Sequence, residues 1–317
     1  MTSEKKREKK TLSMKMNNIK DDFQLSVLAF PAFILTLIFC YIPMVGVIIA
    51  FKDYNPRIGI MASEWIGLDN FEFYFSSNDF TRTMRNTLLY STAFLVVGNI
   101  VNLTFAIFMY NVKSRMALKY YQTTAILPHF LSMVLVAYIV YGLLSPEGGI
   151  LNTVLSFFGQ KEPIQWYQDA KYWPFILTIV NFWKGVGMGS IIYYAALMGI
   201  DETLFEAAKI DGANKWQQII KIMVPMLSSI ICIQLILGIG SLVGGDFGLF
   251  YQVTMNKGVL YPTTDIISTY TYRALSEATG SLGRTAAVGL FQSVAGFILV
   301  VGSNLIVKKL SPENSLF

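Results

Sequence analysis

Few side chains in this chain could do chemistry, and most of them lie where lipid would penalise them. Asn181, Trp183 and Lys184 fall inside one apolar run, Tyr172–Ile200. An amide at that depth can donate to and accept from hydroxyl groups, and an indole face can stack on the C–H surface of a sugar. A lysine at the centre of a span costs roughly 2.5–3.5 kcal/mol on insertion scales, so these groups must face protein or water. An acidic residue on another subunit is one partner that would satisfy Lys184. Gly185, Gly187 and Gly189 form a small-residue face on which a second helix can pack. Ligand contact and helix packing are both open readings of the stretch. Asp246 and Phe247, at the end of the next apolar run, read either as ligand contacts or as an interfacial polar end. His129, the only histidine, follows Pro128 in another run. A lone buried histidine suits a hydrogen-bonding role better than a proton relay.

Much chemistry is excluded. Cys40 and Cys232 both lie in apolar runs and no CxxC occurs, which disfavours zinc sites, disulfide scaffolds and Cys–His nucleophiles. No GxxxxGK[ST] is present, so no P-loop binds nucleotide. No His, Asp and Glu cluster stands in catalytic spacing at a membrane face, so a membrane enzyme is disfavoured. The net charge of +5 is too modest to favour nucleic acid.

The elements that must position these residues are membrane spans. Of 317 residues, 54% are hydrophobic and 14% charged, against about 25% charged in globular domains. Six runs have spanning length: Leu25–Phe51, Asn86–Val112, Tyr120–Leu144, Tyr172–Ile200, Ile222–Gly245 and Thr285–Val307. The first is too long for a signal-peptide core and lacks an A-x-A site, so it is expected to stay as a helix. Six spans put both termini on one side. That side carries 15 Lys and Arg, seven of them between Lys5 and Lys20, against 9 opposite. The positive-inside rule makes it cytoplasmic. The outer loops Lys52–Arg85, Ser145–Lys171 and Asp246–Arg284 are rich in aromatics. Trp65, Trp166, Tyr167, Tyr172 and Trp173 suit the interfacial belt. Gly240-x-x-x-Gly244 and Gly289-x-x-x-Ser293 read as helix-packing motifs.

Between the fourth and fifth spans lies EAAKIDGANKWQQIIKIMVP, Glu206–Pro225. Glu202–Ile210 is rich in helix formers, and Gly212 can end that helix in a left-handed conformation. Trp216, Ile219, Ile220 and Met223 then give a second helix one apolar face, until Pro225 breaks the pattern. From pattern alone this is equally an ordinary interfacial helix pair. The residues themselves resemble the EAA loop of permease subunits in bacterial ABC importers. Glu206-Ala207-Ala208, Gly212, Ile222 and Pro225 match, and Val224 replaces the usual Leu. Residues 65–75 (WIGLDNFEFYF) and 263–275 (TTDIISTYTYRAL), with the run after Gly283, resemble maltose-type sugar permeases. Among these the LplB-like branch, linked with oligosaccharides and complex glycans, is most similar. The maltose permease has extra N-terminal spans and a large outer domain that this chain lacks. A frequent Gly-Gly-Pro is replaced by Met255-Asn256-Lys257-Gly258.

The resemblance implies an all-α integral membrane protein with the fold of a type I ABC importer permease. Residues 1–22 would be a cytoplasmic tail, 23–310 the six-helix domain with its coupling loop at 201–225, and 311–317 a cytoplasmic tail. Glu206, Ala207, Ala208, Asp211 and Gly212 would dock into an ATPase groove. An Asn-x-Trp lies at the same distance before the EAA glutamate in the maltose permease. That match makes Asn181 and Trp183, and more loosely Gly185, candidate sugar contacts, joined by Asp246 and Phe247. A second homologous permease, two ATPases and an outer solute-binding lipoprotein would complete the machine in a bacterial cell membrane. ATP and magnesium would be bound by the ATPases, with no cofactor in this chain. The rival reading is a self-sufficient secondary transporter or channel for a small polar solute. It needs ion-coupling carboxylates within the spans, and the six runs contain none.

Overall fold

The computed structural model describes residues 26–160, 162–276 and 281–314. The expected tail at 1–22, with its lysines, and residues 315–317 lie outside the described residues. Four helices are long and apolar enough to span: α1 (Ser26–Phe51), α3 (Asn78–Tyr110), α7 (Ala170–Leu197) and α12 (Leu282–Leu310). The other two expected spans are broken pairs. The pair α4 (Arg115–Phe130) and α5 (Met133–Leu144) bends by 101°; α9 (Lys215–Met226) and α10 (Ser228–Gly240) bend by 60°. The breaks follow Pro128 and Pro225, which lack the N–H a continuous helix needs. A serine restarts the first pair, since Ser132 Oγ accepts from Leu135 N at 3.2 Å. Serines cap α3, α4 and α12 in the same way, through Ser77, Ser114 and Ser281.

The second span begins at Asn78, eight residues before its apolar run, because Ser77 caps a polar first turn. The connections are structured. Strands β1 (Lys52–Asp53) and β2 (Glu64–Trp65) pair antiparallel, a small exception to the all-α expectation. Short helices follow at α2 (Asp69–Phe75) and α6 (Ile150–Phe157), then α8 (Glu202–Ile210) and α11 (Ile267–Ser276).

Three apolar clusters hold the bundle. One lies at the α8 end and one beneath α2 and α11. The largest gathers Tyr90, Trp166, Tyr167, Trp173, Leu249 and Phe250 at the end away from α8. This corrects the aromatic-belt expectation. Trp166, Tyr167 and Trp173 are buried, while Trp65 is exposed. Trp166, Tyr167 and Trp173 keep their polar atoms paired, as burial favours, whereas the buried Tyr90 hydroxyl of the same cluster has no hydrogen-bond partner among the described residues. Trp173 Nε1 donates to Trp166 O at 2.8 Å, Trp166 Nε1 to Asn152 Oδ1 at 3.1 Å, and Tyr167 Oη to Val253 O at 3.2 Å.

Glycines permit the closest helix approaches. A Cβ on Gly187 would overlap the Ala125 carbonyl of α4, and one on Gly240 would strike Val300 of α12. Gly289 faces open space, so its expected packing role within this chain is not observed; Gly296, two turns further on, meets the Gly240 carbonyl instead.

Candidate functional site

Helix α8 is a short exposed rod fixed at three points. Asp201 Oδ1 accepts from Thr203 N at 2.9 Å and caps its start. That backbone hydrogen bond holds the Asp201 carboxyl below its ordinary range. Phe205 is buried among Ala106, Leu197, Met223 and Leu227 and anchors the middle. The end closes as a Schellman motif: Ala213 N donates to Ala208 O at 2.8 Å and Gly212 N to Lys209 O at 3.1 Å. Gly212 has φ +78°, as expected of its left-handed role. Asn214 and Gln217 then start α9 with a reciprocal capping box.

This clamping leaves Glu206, Ala207, Asp211 and Gly212 exposed, with Ala208 half-buried. Ile210 is 87% exposed. A rigid helix of small residues, tethered through Ile200 directly to α7, can transmit force to whatever grips it. The apolar face expected for α9 is divided. Met223 is buried and Ile219 half-buried, but Trp216 is 73% exposed and Ile220 is exposed too. The turn Ile219–Met223 is a π-helix, whose wider winding departs from the 3.6-residue period that the apolar spacing assumed.

On α7 the candidate residues point in different directions. Asn181 and Trp183 are two positions apart, so they project about 200° apart around the axis. Asn181 is half-buried and Trp183 is 41% exposed. Gly185 faces open space, whereas Gly187 and Gly189 are filled by Ala125 and by the Asn102 side chain. The glycine face is therefore a packing surface at 187 and 189, and not at 185. Lys184 meets no carboxylate among the described residues. Its Nζ donates to the carbonyls of His129 and Leu131 at 2.8 Å each and of Pro128 at 3.4 Å. The His129 ring is exposed against Phe130 rather than buried, because the break turns it outward.

A mainly apolar groove with a few polar side chains runs between α3, α7 and α10. It comprises two adjoining clefts of about 590 and 390 Å³ that share Phe94, Leu95 and Gly238. Asp246 and Phe247 line the first, beside Ser91 and Ser241. Asp246 also caps the following turn, its Oδ1 accepting from Leu249 N at 3.1 Å. Phe247 stacks on Tyr251 with centroids 4.9 Å apart. Asn99, Asn102, Tyr193 and Gln234 line the second cleft, and Tyr193 donates to Asn99. These four were missed in the sequence. The signal was present: Asn99 and Asn102 stand i, i+3 inside an apolar run, where unpaired amides are costly. Asn181, Trp183 and Gly185 line neither cleft. The arrangement offers hydroxyl and amide hydrogen bonds and aromatic faces. Among the described residues no group of three or more His, Cys, Asp or Glu could hold a metal.

Residues 98–312 match the family model for the binding-protein-dependent transport system inner membrane component. The LplB protein of Bacillus subtilis (strain 168) is 36% identical over 301 residues, covering 94% of this chain and 92% of that protein. The polygalacturonan/rhamnogalacturonan transport system permease protein YteP of the same strain is 33% identical over 309 residues, with 98% and 94% covered. A crystal structure of a bacterial ABC transporter involved in the import of the acidic polysaccharide alginate matches with a TM-score of 0.83 at 33% identity. It covers 94% of this chain and 99% of that one. A second structure of the alginate transporter, in complex with alginate pentasaccharide-bound periplasmic protein, matches at 0.82 over 93% of this chain and 97% of that one. The fold is thus that of the ABC importer permeases, with its six spans and exposed loop helix, and the chain belongs to the family of inner-membrane components of binding-protein-dependent transport systems.

Proposed function

We propose that this chain is one of two permease subunits in an ATP-driven, binding-protein-dependent importer of oligosaccharides or complex glycans. The observation that carries this reading is α8: Phe205 anchors it while Glu206, Ala207, Asp211 and Gly212 stay exposed. Such a helix suits a groove on an ATPase subunit. Closure of two ATPases around ATP and magnesium would push α8 and tilt α7 with it, giving alternating access by rigid-body motion. Both termini and α8 would face the cytoplasm, and an extracytoplasmic solute-binding lipoprotein would deliver substrate to the opposite end. Asp246 and Phe247 would meet the glycan in the groove. Asn181, Trp183 and Gly185 would face a second, homologous permease or the passage closed by it. Relatives named for pectic and alginate polymers make uronate-containing oligosaccharides the first substrates to try. The test is purification of the chain with its neighbouring permease, ATPase and binding protein, followed by uptake in proteoliposomes. Uptake should require ATP and the binding protein. Uptake by this chain alone, without ATP, would establish the secondary-transporter reading instead.

A further inference from the structure

An ammonium group has three donors and no acceptor. Lys184 Nζ spends all three on backbone carbonyls at one place, the 101° elbow between α4 and α5. The elbow is short of donors for a definable reason. The end of α4 leaves carbonyls beyond its helical hydrogen bonds, as helix ends do, although Pro128 O also accepts from Leu131 N at 3.2 Å. Ser132 Oγ takes the N–H of Leu135, which a continuous helix would have given to Leu131 O. The same helix end is the negative pole of its dipole, which favours a cation. Gly187, one turn from Lys184, lets α7 approach the Ala125 backbone closely enough for the lysine to reach.

We propose that Lys184 is a positioning residue that couples the tilt of α7 to the elbow of the third span. This rests on the import reading given above. Lys184 lies 13 residues before Leu197, the last residue of α7, about 20 Å along the helix at 1.5 Å per residue, and α8 starts five residues further on at Glu202. On the other side of the elbow, α5 packs against Leu249–Val253, the segment directly after Asp246 and Phe247. Lys184 thus links the helix that carries α8 to the helix that backs the groove. Without the ammonium, α7 can tilt while the elbow stays behind.

The test uses the assembled complex with Cys40 and Cys232 replaced by Ser in this chain. Lys184→Met and Lys184→Cys should each lower ATP-driven uptake about tenfold or more, within the usual range of coupling between sites. ATP hydrolysis should stay near the unsubstituted level. Treating the purified Lys184→Cys complex with 2-bromoethylamine forms a thioether and releases bromide, which restores an ammonium at lysine length. Uptake should return in that variant and not in treated Lys184→Met, while the same treatment should leave uptake by a control that keeps Lys184 unchanged. Rescue after folding is something a purely structural role would not give. Normal uptake by Lys184→Met would overturn the proposal. So would fully aminoethylated Lys184→Cys that stays uncoupled, or failure of both variants to assemble. An unsubstituted complex without ATP-dependent uptake would sink the import reading first, and this inference with it.

Discussion

Arg82 and Asp265 are 183 positions apart, yet Arg82 Nη2 lies 2.7 Å from Asp265 Oδ2. The Asp265 side chain is fully buried and its other oxygen takes Arg273 Nη2 at 2.7 Å. The carboxylate therefore ties the start of α3 to α11. Breaking a buried pair by removing one partner costs roughly 3–5 kcal/mol, because the remaining charge is left uncompensated. Asp265→Ala should lower the melting temperature of the purified complex markedly, and Asp265→Asn should do so less. An unchanged melting temperature for both would show that the pair contributes nothing net.

Gly212 is the second test position. Its φ of +78° and its N–H bond to Lys209 O are both denied to proline. Gly212→Pro should distort the end of α8 while the spans still insert. Uptake should fall to background, with the ATPase either detached or hydrolysing without transport. Coupled uptake at the unsubstituted rate would remove α8 from the coupling pathway.

Met255 and Asn256 occupy the left-handed region, with φ of 55° and 48°. Glycine is the residue that adopts such a turn without strain. A left-handed conformation costs an ordinary side chain about 1–2 kcal/mol. Met255→Gly should raise the melting temperature. Asn256→Gly should gain less, because Asn tolerates this region and its Oδ1 accepts from Tyr261 Oη and Arg273.

The cap of α8 carries a pH dependence. Asp201 is held below its ordinary value of 3.8 chiefly by the Thr203 N–H. A carboxyl depressed in the folded state adds stability that is full above its unfolded pKa. That stability is lost as pH falls through the lower, folded value. Amide exchange at Thr203 should therefore accelerate, relative to its intrinsic rate, as pH drops below about 3.8. Asp201→Ala should show fast exchange at every pH and no such step.

The groove makes a graded prediction. A hydrogen bond to a neutral group contributes about 0.5–1.5 kcal/mol, or up to roughly tenfold in rate. Asn102→Leu should slow uptake by that order at saturating binding protein, and Asp246→Leu by more, since a bond to a charged group contributes about 1.5–3 kcal/mol, with basal ATP hydrolysis unchanged. Asn181→Leu and Trp183→Ala should differ from each other, since the two side chains point about 200° apart. Equal, large defects in both would place each of them on the substrate path.

The sequence by itself determined the class, the spans and the loop helix. Charge deficit and run length give membrane helices because unpaired backbone groups cannot lie in lipid. Glu206–Pro225 fixes a helix, a left-handed glycine and a second helix because those are local backbone preferences, and Gly212 adopts the expected φ. What the sequence could not decide is direction and partnership. Trp166, Tyr167 and Trp173 suit an interface by residue type, but tertiary packing buries them, with Asn152, the Val253 carbonyl and the Trp166 carbonyl as their partners. Pro128 marks a break in the third span; its 101° angle and the reach of Lys184 to its carbonyls belong to the packed helices. Asn99 and Asn102 belong to one span and Gln234 to another, and a groove exists only once those spans are side by side. Which helix faces meet depends on contacts between residues far apart in sequence, and that is why the site, unlike the spans, had to be seen folded.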